Sequence, residues 1–125
     1  MPGQTNQPTP EQVQKFWEWC GWRTIKRSFL HYSPEQIASP KSLSLEYAVT
    51  SFPPIDLNSL FKWAVPKVEE IYCFSLELLD NGTGTFRVAI YQHVFDSKIW
   101  FGHNTDPALA LFWAIWQVME SEDAR

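Results

Sequence analysis

The chain has 125 residues, of which 45% are hydrophobic and 16% aromatic, and its formal net charge is -4. These values are typical of one folded domain whose core is rich in large side chains, and they exclude a chain that is disordered throughout. The small negative charge gives no support to general nucleic-acid binding and is too small for a mimic of DNA phosphates.

The first predicted helix begins at a capping box, Thr9-Pro10-Glu11-Gln12, with proline at its first position. Residues 1–8 are polar and contain Gly and Pro, so we expect a disordered tail there and a single α+β domain over residues 9–125. Gly21 is expected to end the helix in a left-handed conformation. The apolar stripe of this helix consists of Val13, Phe16, Trp17 and Cys20.

In residues 22–30, apolar and polar side chains are divided between two alternating faces, as in a partly covered strand. The same residues include a basic cluster of Arg23, Lys26 and Arg27. This cluster is either a set of solvated charges that protects a strand edge or an anion site. Residues 31–50 are ambiguous, because the alternation from Leu43 to Val49 suits a short strand but the segment could equally be a long loop on the sheet.

A second helix is predicted over the central stretch of residues 53–68. Asp56 can cap its first turn, and Pro66 is expected to stop or kink it because proline lacks the amide donor. One apolar stripe is formed by Leu57, Leu60, Phe61, Ala64 and Val65.

Three antiparallel strands follow, joined by turns. Residues 70–79 and 85–92 are rich in strand-forming residues, and the sequence Asp-Asn-Gly-Thr-Gly between them, residues 80–84, favours a hairpin turn. A second turn near residues 95–97 leads to a strand at about 98–101.

The last predicted helix begins at Pro107, after the capping residue Asp106, and ends near Glu120. It is apolar around most of its circumference, so it is either buried on several sides or left free for subunit contacts, which favours a homo-oligomer. The element order, α-β-(β)-α-β-β-β-α, predicts an α+β fold with an antiparallel sheet of three to four strands covered by helices, similar to an α/β/α sandwich.

Signatures of known chemistry are missing from the sequence. It contains no GxSxG, HExxH, P-loop or dinucleotide-binding motif, so we expect no catalytic residues and no enzyme activity. Cys20 and Cys73 are expected to be reduced thiols, and the scattered histidines His31, His93 and His103 indicate no metal site and no cofactor. The longest apolar run, residues 108–116, is too short for a membrane span, which favours a soluble cytoplasmic protein.

Several aromatic and arginine residues are candidates for ligand binding, because aromatic rings stack on nucleobases and arginine binds phosphate. In one stretch, His103 and Asn104 follow Trp100 and Phe101, where a loop ahead of the last helix would form an anion-binding lip; core packing by the two aromatic residues is the alternative. The full candidate set is Trp22, Arg23, Arg27, Arg87, Trp100, His103 and Asn104.

Three patterned stretches carry a family resemblance: residues 16–21 (FWEWCG), residues 54–67 (PIDLNSLFKWAVPK) and residues 106–111 (DPALAL). They resemble small phage and prophage proteins that contain a phage ABA sandwich domain. The resemblance implies a sheet between helical layers and expression from a phage genome in the bacterial cytoplasm. It does not extend to residues 31–50, and it transfers no active residues.

The sequence therefore leads to a hypothesis of a phage-encoded, non-enzymatic accessory protein that binds a host component, with inhibition of bacterial anti-phage defence as one role. Sequestration of a small nucleotide signal is the alternative, and a small enzyme whose residues converge only on folding is a third. The expected partner is accordingly a host protein or a small nucleotide, without general nucleic-acid or membrane binding.

Overall fold

The structure is a computed structural model, and it describes residues 7–24, 30–35, 49, 51–70, 72–78, 84–92 and 99–123. The chain divides into two compact units, residues 8–54 and residues 55–125. The single domain over residues 9–125 stays a prediction. The tail of residues 1–8, most of residues 31–50 and both predicted turns lie wholly or mainly outside the described residues.

In the unit of residues 8–54, helix α1 spans Pro10–Trp19 and begins at the predicted capping box. The Thr9 hydroxyl accepts from the Gln12 amide at 3.1 Å, and the Gln12 side chain accepts from the Thr9 amide at 2.9 Å. Gly21 follows the helix with a φ of 108°, as predicted.

A short hairpin follows helix α1. Strand β1, Arg23–Thr24, pairs antiparallel with strand β2, His31–Tyr32. Val49 forms a further antiparallel bridge with His31, so the end of the ambiguous segment joins this small sheet.

The core of this unit is a chain of aromatic rings in edge contact. Trp17 packs against Phe16 and Trp22, and Trp22 packs in turn against Phe52, with ring centroids 5.1–6.4 Å apart. The indole N–H of Trp17 donates to the carbonyl of Pro53 at 3.0 Å. Edge contacts of this kind add to the free energy gained by burial of the rings.

In the unit of residues 55–125, the central helix is continuous from residue 57 to residue 69, but its geometry changes along its length. Helix α2, Leu57–Ser59, passes into a π-helical turn, Leu60–Ala64, and then into helix α3, Val65–Glu69. The Asp56 carboxylate accepts from the Ser59 amide at 2.8 Å, so the predicted cap is confirmed. Of the stop or kink predicted at Pro66, the stop is wrong, because the proline occupies the start of α3, where its missing N–H costs little; the kink stays a prediction.

The π-helical turn also changes which residues are buried. A wider turn shifts the register of the apolar stripe, so that Leu60, Ala64, Val65 and Val68 are buried while Phe61 is 43% exposed. The prediction that Phe61 belongs to the stripe is therefore wrong, although its ring still contacts that of Phe74 at a centroid distance of 5.8 Å.

The predicted meander of three antiparallel strands is confirmed. Strands β3 (Tyr72–Leu78), β4 (Phe86–Gln92) and β5 (Ile99–Asn104) form a sheet in the order β3-β4-β5. Strand β5 is longer than predicted, so His103 and Asn104 belong to the strand and not to a loop. The α+β class with a three-stranded sheet is thus shown.

Helix α4, Pro107–Asp123, lies against strands β4 and β5. Gly102 permits the contact, since a methyl group there would lie 2.0 Å from the carbonyl oxygen of Ala110. The side-chain Nε2 of Gln117 donates to the backbone carbonyl of Phe101 on β5. The Tyr72 hydroxyl donates to the Glu122 carboxylate at 3.1 Å, and α4 extends beyond its predicted end at Glu120.

Both helical segments of this unit contact one face of the sheet. The Phe61 ring contacts that of Phe74 on β3. Phe74, Ile90 and Trp100 form one row across the three strands, and this row lies on the same face of the sheet as Gly102. Residues 108–115 of α4 are all buried within one chain, so this helix leaves little apolar surface for subunit contacts. Oligomerisation and the layering of helices on both faces stay predictions.

Candidate binding surface

Among the described residues, the face of the sheet opposite α4 carries nine in a regular grid. The strand register places them in three rows across β3, β4 and β5. Side chains alternate between the two faces of a strand, so all nine project from this face. We call it the open sheet face, and its rows are Glu77-Arg87-His103, Ser75-Ala89-Phe101 and Cys73-Tyr91-Ile99.

Large apolar side chains on this face are exposed to solvent. Ile99 is 46% exposed, Tyr91 is 38% exposed and Phe101 is 37% exposed. Single exposed apolar residues are common on protein surfaces, but contiguous groups of them mark contact sites. Tyr91 and Ile99 are cross-strand partners and Phe101 follows two residues after Ile99, so these three form one group.

One end of the open sheet face carries a positioned arginine. The Arg87 Nε donates to the Glu77 carboxylate at 2.7 Å, and an Nη atom donates to the same oxygen. The guanidinium carbon lies 5.7 Å from the centre of the Phe101 ring. The rings of His103 and Phe101 are stacked, with centroids 6.1 Å apart and planes inclined by 26°. Two predicted site residues, Arg87 and His103, are thus cross-strand neighbours on an accessible surface.

Trp100 and Asn104 lie on the covered face of the same strand. Trp100 is 7% exposed and its ring packs at 5.4 Å against that of Tyr72. The Asn104 side chain accepts from the Asp106 amide at 2.9 Å, and the Asp106 carboxylate accepts from the Ala108 amide at 2.8 Å. The ligand-binding role predicted for Trp100 and Asn104 is not supported, because one belongs to the core and the other shapes the start of α4.

The remaining predicted site residues belong to the other unit. Trp22 is buried in the aromatic core of residues 8–54, which leaves its ring inaccessible to a ligand. Arg23 is exposed on strand β1. Arg27 lies outside the described residues.

Sequence reasoning missed Tyr91, Ile99 and Phe101 as surface residues. The sequence reasoning placed Phe101 with Trp100, either at the anion-binding lip or in the core, although adjacent strand residues point to opposite faces. Gly102 could have shown which face of β5 is covered. It shares a face with Trp100, two residues away, and a glycine within a strand often marks a close approach by another element.

Other kinds of site find no support in the part of the chain that the structure describes. There, no group of three or more His, Cys, Asp or Glu residues could hold a metal ion, and no helix is long and apolar enough to cross a membrane. Cys20 and Cys73, both among the described residues, are not joined in a disulfide, and their reduced state stays a prediction.

His31 combines ring stacking with a hydrogen bond in the unit of residues 8–54. Its ring stacks on that of Phe52, with centroids 3.9 Å apart and planes at 21°, and its Nδ1 lies 3.1 Å from the Thr24 hydroxyl. Burial lowers the pKa of His31 below its ordinary value of 6.5, and the Glu18 carboxylate offsets part of this effect.

We expect the lowered pKa of His31 to make the protein less stable in acid. At a pH between the His31 pKa of the folded protein and 6.5, the unfolded chain binds more protons at this residue than the folded protein does. The contribution of neutral His31 to the free energy of unfolding is therefore complete above pH 6.5 and is lost as the pH falls through the pKa of the folded protein. Urea unfolding from pH 7.5 to 5 should show a smaller acid loss for His31→Gln than for the parent protein. An equal loss in both proteins would contradict this assignment.

Comparisons with known proteins identified no relative of this chain. No protein-family model, curated protein or solved structure matches the chain.

Proposed function

We propose that this chain is a non-enzymatic binding protein and that the open sheet face is its contact surface. The observation that carries the proposal is the exposure of Tyr91, Ile99 and Phe101 together on one face of a hydrogen-bonded sheet. Water contact with such a group is unfavourable, and a partner that covers it gains the free energy of apolar burial.

The partner in this proposal is a component of a bacterial host. The protein is encoded by a phage genome and acts in the host cytoplasm. The resemblance of residues 16–21, 54–67 and 106–111 to phage ABA sandwich proteins supports this origin. The small size of the chain and the lack of catalytic motifs in its sequence support an accessory role, with inhibition of anti-phage defence as the form we propose.

Capture from host lysate tests the proposal, provided that both proteins and small molecules are identified. The tagged protein is compared with the double variant Tyr91→Ser/Phe101→Ser, and the bound material is analysed by mass spectrometry. Phe61→Ser is the matched control, because Phe61 is similarly exposed but contacts the opposite face of the sheet. We expect the double variant to lose the bound component and the control to retain it. Retention by both variants, or no component above background, would contradict the proposal.

A further inference from the structure

The size of the open sheet face indicates the class of its ligand. Three strands spaced by about 4.8 Å, with three rows spaced by about 6.8 Å, give a grid of roughly 10 by 14 Å between the Cα atoms. A stable protein interface takes about 20–30 residues of each partner, two to three times the nine described residues of this face. The face is therefore too small to hold a protein or a second copy by itself, but it is large enough for one or two planar rings.

The ring side chains are arranged as stacking surfaces are on other sheets. RNA-recognition modules use aromatic residues on an open sheet face to stack two or three bases. Here Phe101 and His103 lie two residues apart on β5 with nearly parallel rings, and Tyr91 extends the aromatic surface on the neighbouring strand. A nucleobase would gain about 1–3 kcal/mol from stacking on one such ring.

The charges on the face limit the ligand to a small anion. Arg87 is the sole Lys or Arg among the nine residues, and Glu77 takes two of the five N–H donors of its guanidinium. This pairing fixes the orientation of the group beside Phe101 and leaves donors for a phosphate oxygen. A long polyanion is disfavoured, because the chain as a whole carries a net charge of -4.

We infer that the open sheet face binds a mononucleotide, with its base stacked on the exposed ring of Phe101 and its phosphate hydrogen-bonded to Arg87. This inference rests on the proposed function and names the chemical class of the host component. It gives the chain the means to sequester a nucleotide without altering it.

Isothermal titration calorimetry with AMP, GMP, CMP and UMP tests the inference, with adenosine, inorganic phosphate and a dT8 oligonucleotide as comparison ligands. We expect at least one mononucleotide to bind, adenosine to bind more weakly than AMP, and phosphate alone not to bind. The oligonucleotide should bind no more tightly than the mononucleotides, because a single arginine cannot neutralise several phosphates. Tighter binding of the oligonucleotide would overturn the mononucleotide assignment in favour of single-stranded nucleic acid.

Matched variants separate stacking from general apolar contact. Phe101→Leu keeps an apolar side chain but removes the ring, and it should weaken nucleotide binding about tenfold. Phe61→Leu, the same substitution at an exposed phenylalanine whose ring contacts the opposite face of the sheet, should change it less than about twofold. Arg87→Gln should bring the affinity for AMP down to that for adenosine. Circular dichroism confirms that each variant is folded.

Three further results would overturn the inference, and they bear differently on the proposed function. If no mononucleotide binds at millimolar concentration but capture of a host component still depends on Phe101, the nucleotide assignment fails and the binding function stands. If neither nucleotides nor host components depend on Phe101, both fail. Equal affinities of the parent protein and Phe101→Leu would also overturn the stacking geometry.

Discussion

Replacing Gly102 with alanine is expected to lower the free energy of unfolding by more than about 3 kcal/mol, or to prevent folding. An added Cβ would lie 2.0 Å from the carbonyl oxygen of Ala110 and 2.8 Å from the amide nitrogen of Ala114. Both atoms belong to the backbone of α4, so no side chain can rotate away. Relief requires α4 to move off the sheet, and that movement opens the contacts that bury residues 108–115.

Gly84→Ala is the control for this prediction. Gly84 has a φ of 67°, and nothing lies within 4 Å of an added Cβ. Alanine there should cost only about 1–2 kcal/mol of left-handed backbone strain. Urea unfolding of the two variants measures the difference, and Ala110→Gly should fail to rescue Gly102→Ala because the clash is with the backbone. A cost at Gly102 no larger than that at Gly84 would contradict the close approach of β5 and α4.

Local signals in the sequence predicted the elements well. The capping box at Thr9, the cap at Asp56 and the start of α4 at Pro107 depend on side chains within a few residues of the groups that they satisfy. Strands β3 and β4 followed equally well from their composition. Such features are predictable because their causes lie within one turn or one strand.

Features that depend on distant contacts were predicted less well. Pro66 indicated a stop or a kink, but the helix continues past it after the π-helical turn at Leu60–Ala64, and the resulting shift exposes Phe61. Alternation along β5 divides its residues between two faces, yet it cannot say which face α4 covers. Gly102 decides this, because only a residue without a side chain allows the backbone of α4 to approach so closely.

The prediction of the candidate site was limited in the same way, because the sequence does not show which face of the sheet is covered. Arg87 and His103 are 16 positions apart and both are among the candidates from sequence, but only the register of β4 and β5 shows that they are neighbours. Trp100 was grouped with them because an aromatic residue of the core and one of a stacking surface look alike in sequence. The structure separates the two uses by face.

This separation predicts opposite effects for two adjacent aromatic residues on β5. Trp100→Ala should lower the free energy of unfolding by about 3–5 kcal/mol, because the indole is 7% exposed and packs on Tyr72. Phe101→Ala should lower it by less than about 1 kcal/mol, since its ring is 37% exposed and loses mainly surface contacts. Urea unfolding measures both effects under the same conditions.

Ligand binding should show the reverse order. Trp100→Phe keeps the core ring and should leave the affinity for a mononucleotide unchanged, whereas Phe101→Ala should weaken it about tenfold or more, because it removes a stacking ring. Phe61→Ala serves as the control for loss of an exposed aromatic residue whose ring contacts the opposite face. If Trp100→Phe weakened binding while Phe101→Ala did not, the ligand would have to contact the covered face, where α4 now packs. The open sheet face would then have no part in recognition.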